Sequence, residues 1–325
     1  MSQEKVKVLV CGASGFIGGN VLTHFARDKR FELFAVFHKT AIDQERFRNC
    51  KFKILHADLT NSADVTRVLK GKDVVIQAAA TTSGAHDIIN RPYHHVTDNA
   101  VMNSLLLRAA FEQKIKHFIF FSCTTMYPNS KKALRETDFD HEIVSKYFGV
   151  GWTKVYVEKM CEFYSRIGTT KFTVIRHSNI YGPYDKYDLK RSHVFGATMT
   201  KVMTAQDEKL IVWGDGSDER DLLHVDDLLR FIDCALRRQK SNFELVNVGL
   251  GKSISVRELV KEIISASGRR LKVIYDTSKP SINYKLAINI DRARKVFGWK
   301  PTISLKEGIR RTLAWYRDYF DISRD

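Results

Sequence analysis

The chain has 325 residues, 44% hydrophobic and 28% charged, enough to bury one large core or two unequal ones. It contains no run of about 18 apolar residues, so no membrane-spanning helix is expected. The polar Met1–Lys7 stretch leads straight into a strand without the pattern of a secretory leader. Lysine and arginine number 53 against 37 aspartates and glutamates, a net charge of +16. That charge admits either a basic soluble surface or a site for a polyanionic small molecule such as a diphosphate. The basic residues are dispersed, with no stripe or aromatic-interleaved module, and a nucleic-acid partner is not expected. Cys11, Cys50, Cys123, Cys161 and Cys234 form no C-x-x-C pair. Neither a structural metal nor a disulfide framework is therefore expected, and a reducing cytoplasm fits.

Val6–Cys11 is a short β-branched run that ends at glycines, and Phe16–Arg27 follows with helical periodicity. Further strands are predicted at Phe31–Phe37, Phe52–Leu55, Asp73–Ala79, Lys116–Ser122 and Lys171–Arg176. Amphipathic segments separate most of them, notably Ala63–Lys70, Thr97–Glu112 and Gly151–Arg166. Strands alternating with helices imply βαβ units, and hence an α/β fold with a Rossmann-type, doubly wound parallel sheet. Beyond Ser178 the pattern loosens. Helices are expected at Ser192–Thr204, Val225–Arg237, Ser255–Ser267 and Ser304–Tyr319, with short strands near Lys209–Val212, Glu244–Val248 and Leu271–Tyr275. This reads as a dinucleotide-binding domain over residues 1–177, to which 225–250 return, and a smaller mixed α/β substrate domain over 178–325.

The loop Gly12-Ala13-Ser14-Gly15-Phe16-Ile17-Gly18 lies between the first strand and the first helix. Gly12 allows the tight turn, Gly15 lets the backbone approach a pyrophosphate, and Gly18 lets the helix pack closely on the strand. The helix N-terminus then offers N–H groups and a positive dipole end to the phosphates. A carboxylate at the end of the second strand would bind the ribose 2′-hydroxyl of NAD. Phe37-His38-Lys39 stands there instead, and the cations suit the 2′-phosphate of NADP. NADP is thus the preferred cofactor, with NAD the alternative. Asp58 is placed to meet the adenine.

Several motifs now combine. They are the Gly12–Gly18 loop, Asp58-Leu59-Thr60, Ala78-Ala79-Ala80 with Gly84, Ser122–Pro128, and Asn179-Ile180-Tyr181-Gly182-Pro183. Together they resemble the extended short-chain dehydrogenases/reductases, which remodel nucleotide-activated sugars. Met126-Tyr127-Pro128, Cys161–Arg166, Tyr184-Asp185 leading to Ser192-His193-Val194, and Val212-Trp213-Gly214 followed by Arg220 and Leu223–Asp227 are most similar to the GDP-L-fucose synthases, GDP-4-keto-6-deoxyhexose epimerase/reductases. The resemblance covers nearly the whole chain. It implies cofactor contacts from the glycine loop, Leu59, Ala78, Ala79, Ala80 and Lys154. It implies contacts to the nucleotide diphosphate and base from Asn179, Lys201, Trp213, Arg220 and Lys285, with Arg220 as a bidentate clamp, and a substrate contact from His193.

The chemistry of that family uses a tyrosine, a lysine four residues later and a serine or threonine after the fifth strand. Lys154 matches the lysine, but the tyrosine position holds Val150 and the serine position holds Cys123, a weak hydrogen-bond donor. Thr124 and Thr125 beside it carry hydroxyls. Thr125 stands where the fucose synthases have the cysteine of their epimerisation pair, and His193 matches that pair's histidine. Three readings follow. Redox chemistry proceeds with another proton carrier, either Tyr147 or a water held by Thr124 or Thr125 and Lys154. Alternatively, His193 supports other acid–base chemistry. In the third reading, the protein binds nucleotide and sugar without turnover. Tyr147 is seven residues before Lys154, about 10 Å along a regular helix, and serves only if the helix begins irregularly.

Trp213 also admits core packing, and Lys201 and Lys285 admit simple exposure. His86 and His94-His95 read as loop histidines, since no cysteine or carboxylate shares their spacing. Asp226-Asp227 is expected to cap a helix and orient Arg220 or His224. By the same resemblance, the Thr97–Glu112 and Gly151–Arg166 helices form the interface of a homodimer.

Overall fold

The computed structural model describes residues 4–81, 92–189, 191–278 and 285–321. Gly84, His86 and the side chain of His94 lie outside the described set. In chain order the first elements are β1 (Val6–Cys11), α1 (Phe16–Phe25), β2 (Phe31–Phe37), α2 (Gln44–Phe47), β3 (Lys53–His56), α3 (Ser62–Leu69) and β4 (Val74–Gln77). There follow α4 (Thr97–Glu112), β5 (His117–Phe121), α5 (Phe148–Ile167), β6 (Lys171–His177) and β7 (Asn179–Tyr181). Next come α6 (Val194–Thr204), β8 (Lys209–Trp213), β9 (Glu219–His224), α7 (Val225–Arg238) and β10 (Phe243–Val248). The last are β11 (Ser253–Ser255), α8 (Val256–Ser267), β12 (Lys272–Asp276), β13 (Lys285–Leu286), α9 (Asp291–Phe297) and α10 (Leu305–Tyr319).

Two compact units emerge. The first holds Met1–Met126, His141–Arg176 and Ile232–Val246, and the second Tyr127–Asp140, His177–Phe231 and Asn247–Asp325. A seven-stranded sheet in the order β10-β6-β5-β4-β1-β2-β3 dominates the first. β1 pairs in parallel with β2 on one side and β4 on the other, so the strand order reverses there, the place where doubly wound sheets bind ligands. Because helices cover both faces, its central strands are mostly apolar: β4 and β5 are buried at every position, with Gln77 and His117 their polar members. Leu9, Val75, Phe118, Phe120 and Phe172 pack with Leu106 of α4 and Val157 of α5 in one core.

α5 starts at Phe148, three residues before the Gly151 boundary expected from periodicity. A 3-10 turn at Ser145–Tyr147 leads into it. Glycine in a helix costs about 1 kcal/mol against alanine, which hides a helix starting Phe148-Gly149-Val150-Gly151. Packing favours it nonetheless. A Cβ on Gly149 would come within 2.9 Å of the Val96 side chain, and one on Gly151 within 3.0 Å of Ile143.

In the second unit β9 is central, paired with β7, β11 and β13, while β8 and β12 form a separate parallel pair. Sequence periodicity missed β7, β9, β11 and β13. They are short, and β9 opens on the charged Glu219-Arg220-Asp221. Tyr181, Phe195, Met199, Leu222, Leu259, Ile309 and Leu313 form the core. Asp227, expected to orient Arg220 or His224, instead ties α7 to the segment before α10. Its carboxylate accepts from Arg230, from Thr302 N and from Ile303 N, the backbone bonds at 3.1 and 3.0 Å. Asp226 is the one that meets His224, donating its backbone N–H to Nδ1 at 3.2 Å, while its carboxylate accepts from Arg311 Nη1 at 3.4 Å.

Asp221 of β9 is buried and accepts from Leu250 N at 2.7 Å, Gly251 N at 3.0 Å and Ile288 N at 3.4 Å. Burial outweighs these bonds and pushes its carboxyl from 3.8 up to about 6. The folded chain therefore holds a proton that the unfolded chain has already released between those two values. The resulting stabilisation is present at low pH and lost as pH rises through about 6. Asp221→Asn is expected to remove that falling component from the pH profile of unfolding free energy. Urea unfolding across the window checks it, and an unchanged slope would contradict the assignment.

Candidate active site

The glycine turn leaves no room for side chains. Gly12 has φ of 73°, and a Cβ there would stand 2.6 Å from Ala79 Cα. A Cβ on Gly18 would overlap the Gly12 carbonyl. Gly15 caps α1 without a side-chain hydrogen bond, and no acidic residue occupies the first turn. The first N–H groups of a helix have no intrahelical acceptor, so this end of α1 is a cradle for anionic phosphates. Ser14, Phe16 and Ile17 fall within the same turn. Ala78 N donates to Cys11 O at 3.2 Å, which sets Ala78-Ala79-Ala80 beside it. This geometry fits the diphosphate of a nicotinamide dinucleotide.

His38 and Lys39 follow β2 and are exposed. His38 Nε2 lies 3.7 Å from an Asp58 carboxylate oxygen. Asp58 accepts from Thr60 N at 2.9 Å and Thr60 Oγ1 at 2.7 Å, bonds that lower its pKa. Leu59, next to it, is buried. Sequence reading missed Arg46. From α2 its guanidinium reaches Gly15 O at 3.3 Å and Phe16 O at 3.2 Å, alongside α1. The Asp43 cap that starts α2, accepting from Arg46 N at 2.9 Å, was the available signal.

Lys154 and Val150 occupy successive turns of α5. Lys154 Nζ donates to Phe121 O at 2.8 Å and lies 4.8 Å from the centre of the Phe120 ring. Burial lowers its pKa, with Cys123 and Glu158 opposing the shift. After β5, the Cys123 thiol and Thr125 Oγ1 are 2.9 Å apart, and Thr124 is buried between them in sequence. Tyr147 ends the 3-10 turn and is the N-cap of α5, at φ −107°.

One turn beyond Lys154 is a buried ion pair. Glu158 accepts from Arg176 Nη2 at 2.7 Å, Arg176 Nε at 3.0 Å and Ser122 Oγ at 2.6 Å. Both charged side chains are only 4% exposed. The pair locks α5 to the ends of β5 and β6, and through them fixes Lys154.

The nucleotide-side residues lie in the second unit. Trp213 is 60% exposed, which rules out core packing. Lys201 Nζ sits 5.4 Å from its ring centre and donates to Ile211 O at 3.1 Å. Arg220 donates to Glu219 O at 2.8 Å and pairs with Asp218 at 3.5 Å. Lys285 Nζ pairs with Glu219 at 2.8 Å. Asn179 Nδ2 reaches Asp221 O at 3.4 Å. His193 precedes α6 as its N-cap, and desolvation together with the Lys186 charge lowers its pKa. Among the described residues, no group of His, Cys, Asp or Glu is placed to hold a metal, and no helix is long and apolar enough to cross a membrane.

A parallel sheet with the order reversal at β1, a glycine cradle there and a lysine on α5 define a dinucleotide-dependent Rossmann enzyme class. The pattern of the NAD dependent epimerase/dehydratase family matches residues 8–249, and the chain belongs to that family. It is 27% identical over 319 residues to the GDP-L-colitose synthase of Yersinia pseudotuberculosis, covering 96% of this chain and 98% of that one. It is 29% identical over 322 residues to a GDP-L-fucose synthase of Azorhizobium caulinodans, covering 95% and 96%. The solved UDP-glucose 4-epimerase of Thermotoga maritima, with UDP-glucose, shares the fold at a TM-score of 0.86 and 24% identity, over 97% of this chain and 100% of that one.

Breaking the buried ion pair strands a charge. Glu158→Ala is expected to destabilise the protein by about 3–5 kcal/mol. Equilibrium denaturation measures this, and a loss below 1 kcal/mol would show that α5 is held by other means.

Proposed function

We propose that this protein is an NAD(P)-dependent enzyme acting on a nucleotide-diphosphate sugar, of the GDP class, with an altered proton-transfer dyad. The observation that carries the reading is the pairing, within one unit, of an intact phosphate cradle at α1 with Lys154 held against the end of β5. GDP rests on the printed activities of the two relatives named above. When bound, the cofactor would supply the hydride acceptor or donor. NADP is favoured over NAD by His38, Lys39 and Arg46, three cationic or titratable groups around the end of β2 and the start of α1, with no carboxylate directly after β2.

Lys154 orients the nicotinamide ribose and lends positive charge to the reacting oxygen. Thr124, Thr125 and Cys123 bind that oxygen. Val150 has no proton to exchange. The proton therefore passes through a water held by Thr124 or Thr125 and Lys154, or through Tyr147 at the N-cap of α5. In the second unit, Asn179, Lys201, Trp213, Arg220 and Lys285 take the nucleotide diphosphate, and His193 supports epimerisation. Domain roles follow: residues 1–177 with 225–250 for the dinucleotide, 178–325 for the nucleotide sugar. A cytoplasmic setting accords with both ligands. Val150 itself favours a second reading, a protein that binds cofactor and sugar nucleotide without turning them over.

Lys154→Met is expected to abolish nicotinamide reduction or oxidation with a GDP-sugar, and Val150→Tyr to raise it by about 10²-fold or more. Nicotinamide absorbance follows both. Turnover that survives Lys154→Met would rule out this chemistry. Tight GDP-sugar binding with no product by mass spectrometry, in the native chain, would establish the second reading instead.

α4 and α5 pack together, Ser104 Oγ lying 3.0 Å from Tyr156 Oη. Their outer face exposes Val101, Phe148, Tyr156, Phe163 and Ile167. Such an apolar stripe fits burial against a second copy of itself. Sedimentation is expected to give a dimer, and Phe163→Glu to give a monomer with an unchanged fold.

A further inference from the structure

We infer that the edge of the sheet at which the strands of the first unit begin is a docking surface for an anionic bilayer. The inference does not depend on the nucleotide-sugar reading. β1 to β6 pair in parallel, and β10 lies beside β6, with Phe172 N donating to Asn242 O at 2.8 Å and Ser178 N to Val248 O at 3.0 Å. All seven strands therefore start along one edge, about 29 Å long at the usual strand spacing. The glycine cradle after β1 and the Lys154 anchor at the end of β5 lie at the opposite edge.

Every entry to this sheet carries a lysine. Lys5 precedes β1, Lys29 precedes β2, Lys51 precedes β3 and Lys70 precedes β4. Lys114 precedes β5, Lys240 precedes β10, and β6 opens on Lys171, whose Nζ donates to Gln239 O at 3.0 Å. Spread along the chain, these lysines are brought together because each connection in a parallel sheet returns to the same edge. All but Lys171 are exposed, and those six make no ion pair among the described residues. Carboxylates interleave with them but are occupied by a second set of cations. Glu4 pairs with Lys7 at 3.8 Å, Glu32 with Lys53 at 2.7 Å, Asp73 with Lys116 at 2.8 Å, Glu112 with Arg108 at 2.8 Å, and Asp28 with Arg30. Glu244 is buried and accepts from Ser241 Oγ at 2.6 Å. The edge thus keeps an excess of positive charge. A cation after a helix end offsets the dipole, which accounts for Lys70 and Lys114 but not for Lys5.

The chemistry favours lipid headgroups over nucleic acid. A single strand needs exposed aromatic rings on which to stack its bases. Among the described residues, none of the exposed large aromatics belongs to a strand entry. The exposed large hydrophobics at the strand starts are aliphatic, Val6 and Ile54. Phe34 is half-buried beneath Lys72 and Lys53, whose Nζ atoms lie 4.1 and 5.3 Å from its ring centre. Lysine is a compact point charge without the planar fork with which arginine clasps phosphates and guanine. A row of such charges suits the diffuse negative potential of a membrane surface. Docked this way, the edge that carries the cradle faces away from the bilayer.

The test is flotation of the full chain with vesicles of phosphatidylcholine, alone or mixed in equal parts with phosphatidylglycerol. Binding is expected only to the mixed vesicles, and is expected to fade as added salt shortens the screening length. A lysine near an anionic surface contributes about fivefold to partitioning, so Lys70→Gln with Lys114→Gln is expected to weaken binding about 25-fold. Lys261→Gln with Lys306→Gln removes the same charge from exposed positions on α8 and α10, and is expected to leave binding unchanged. Should the first pair fail to fold, by its melting profile, Lys5→Gln with Lys240→Gln replaces it with the same expected loss. No binding to the mixed vesicles, equal binding to both vesicle types, or equal losses in the edge and control variants would overturn the inference. So would a mixed-sequence RNA that binds more tightly than the mixed vesicles at the same salt and depends on the same lysines, since the edge would then belong to nucleic acid.

Discussion

No side chain fits between the first turn of α1 and the turn that leads into it. Gly12 backs onto Ala79 at a distance only a hydrogen tolerates, and Gly18 backs onto the Gly12 carbonyl. Closing those gaps brings α1 down on β1 and β2 and leaves its N-terminus at the reversal in strand order. A larger residue at either glycine would lift the helix and blunt the dipole that makes the cradle attractive to phosphate. The rest of the first unit is arranged around that contact. β2 carries His38 and Lys39 to its side, α2 brings Arg46 to its shoulder, and β5 ends in the segment that anchors Lys154.

The order of strands and helices in the first unit was legible because buried parallel strands and amphipathic helices write different periods. β1 and β2 match their expected boundaries residue for residue. The start of α5 was illegible because its two glycines carry poor helix propensity, and the side chains packed against them, Val96 and Ile143, lie outside the helix. In the second unit the short strands around β9 were hidden for a different reason. Asp221 ties β9 to its surroundings through backbone partners that lie as far away as Ile288. Local pattern carries no trace of such a bond. The glycine loop could be placed from its spacing, and Lys154 and Val150 from the family resemblance. Arg46 could not, since its relation to Gly15 is a tertiary contact across 31 residues.

Glu158 and Arg176 hold α5 by contacts that leave position 150 out. A buried pair adds little net stability, but it specifies one arrangement of α5 against β5 and β6. Ser122 completes it. Position 150 is therefore held in place by residues that do not depend on what stands there. A change at that position alters chemistry without releasing the scaffold.

The sheet order also bears on how the chain is made. β6 is buried at all but its terminal residues, and β10, the strand that covers its outer side, begins only at Phe243. Residues 178–231 belong almost wholly to the other unit and must emerge first. During that interval the nascent protein carries an unpaired, apolar strand edge. Such an edge invites pairing with other chains until the seventh strand arrives. The order of synthesis thus leaves β6 exposed on one side for the whole time that residues 178–242 are being made.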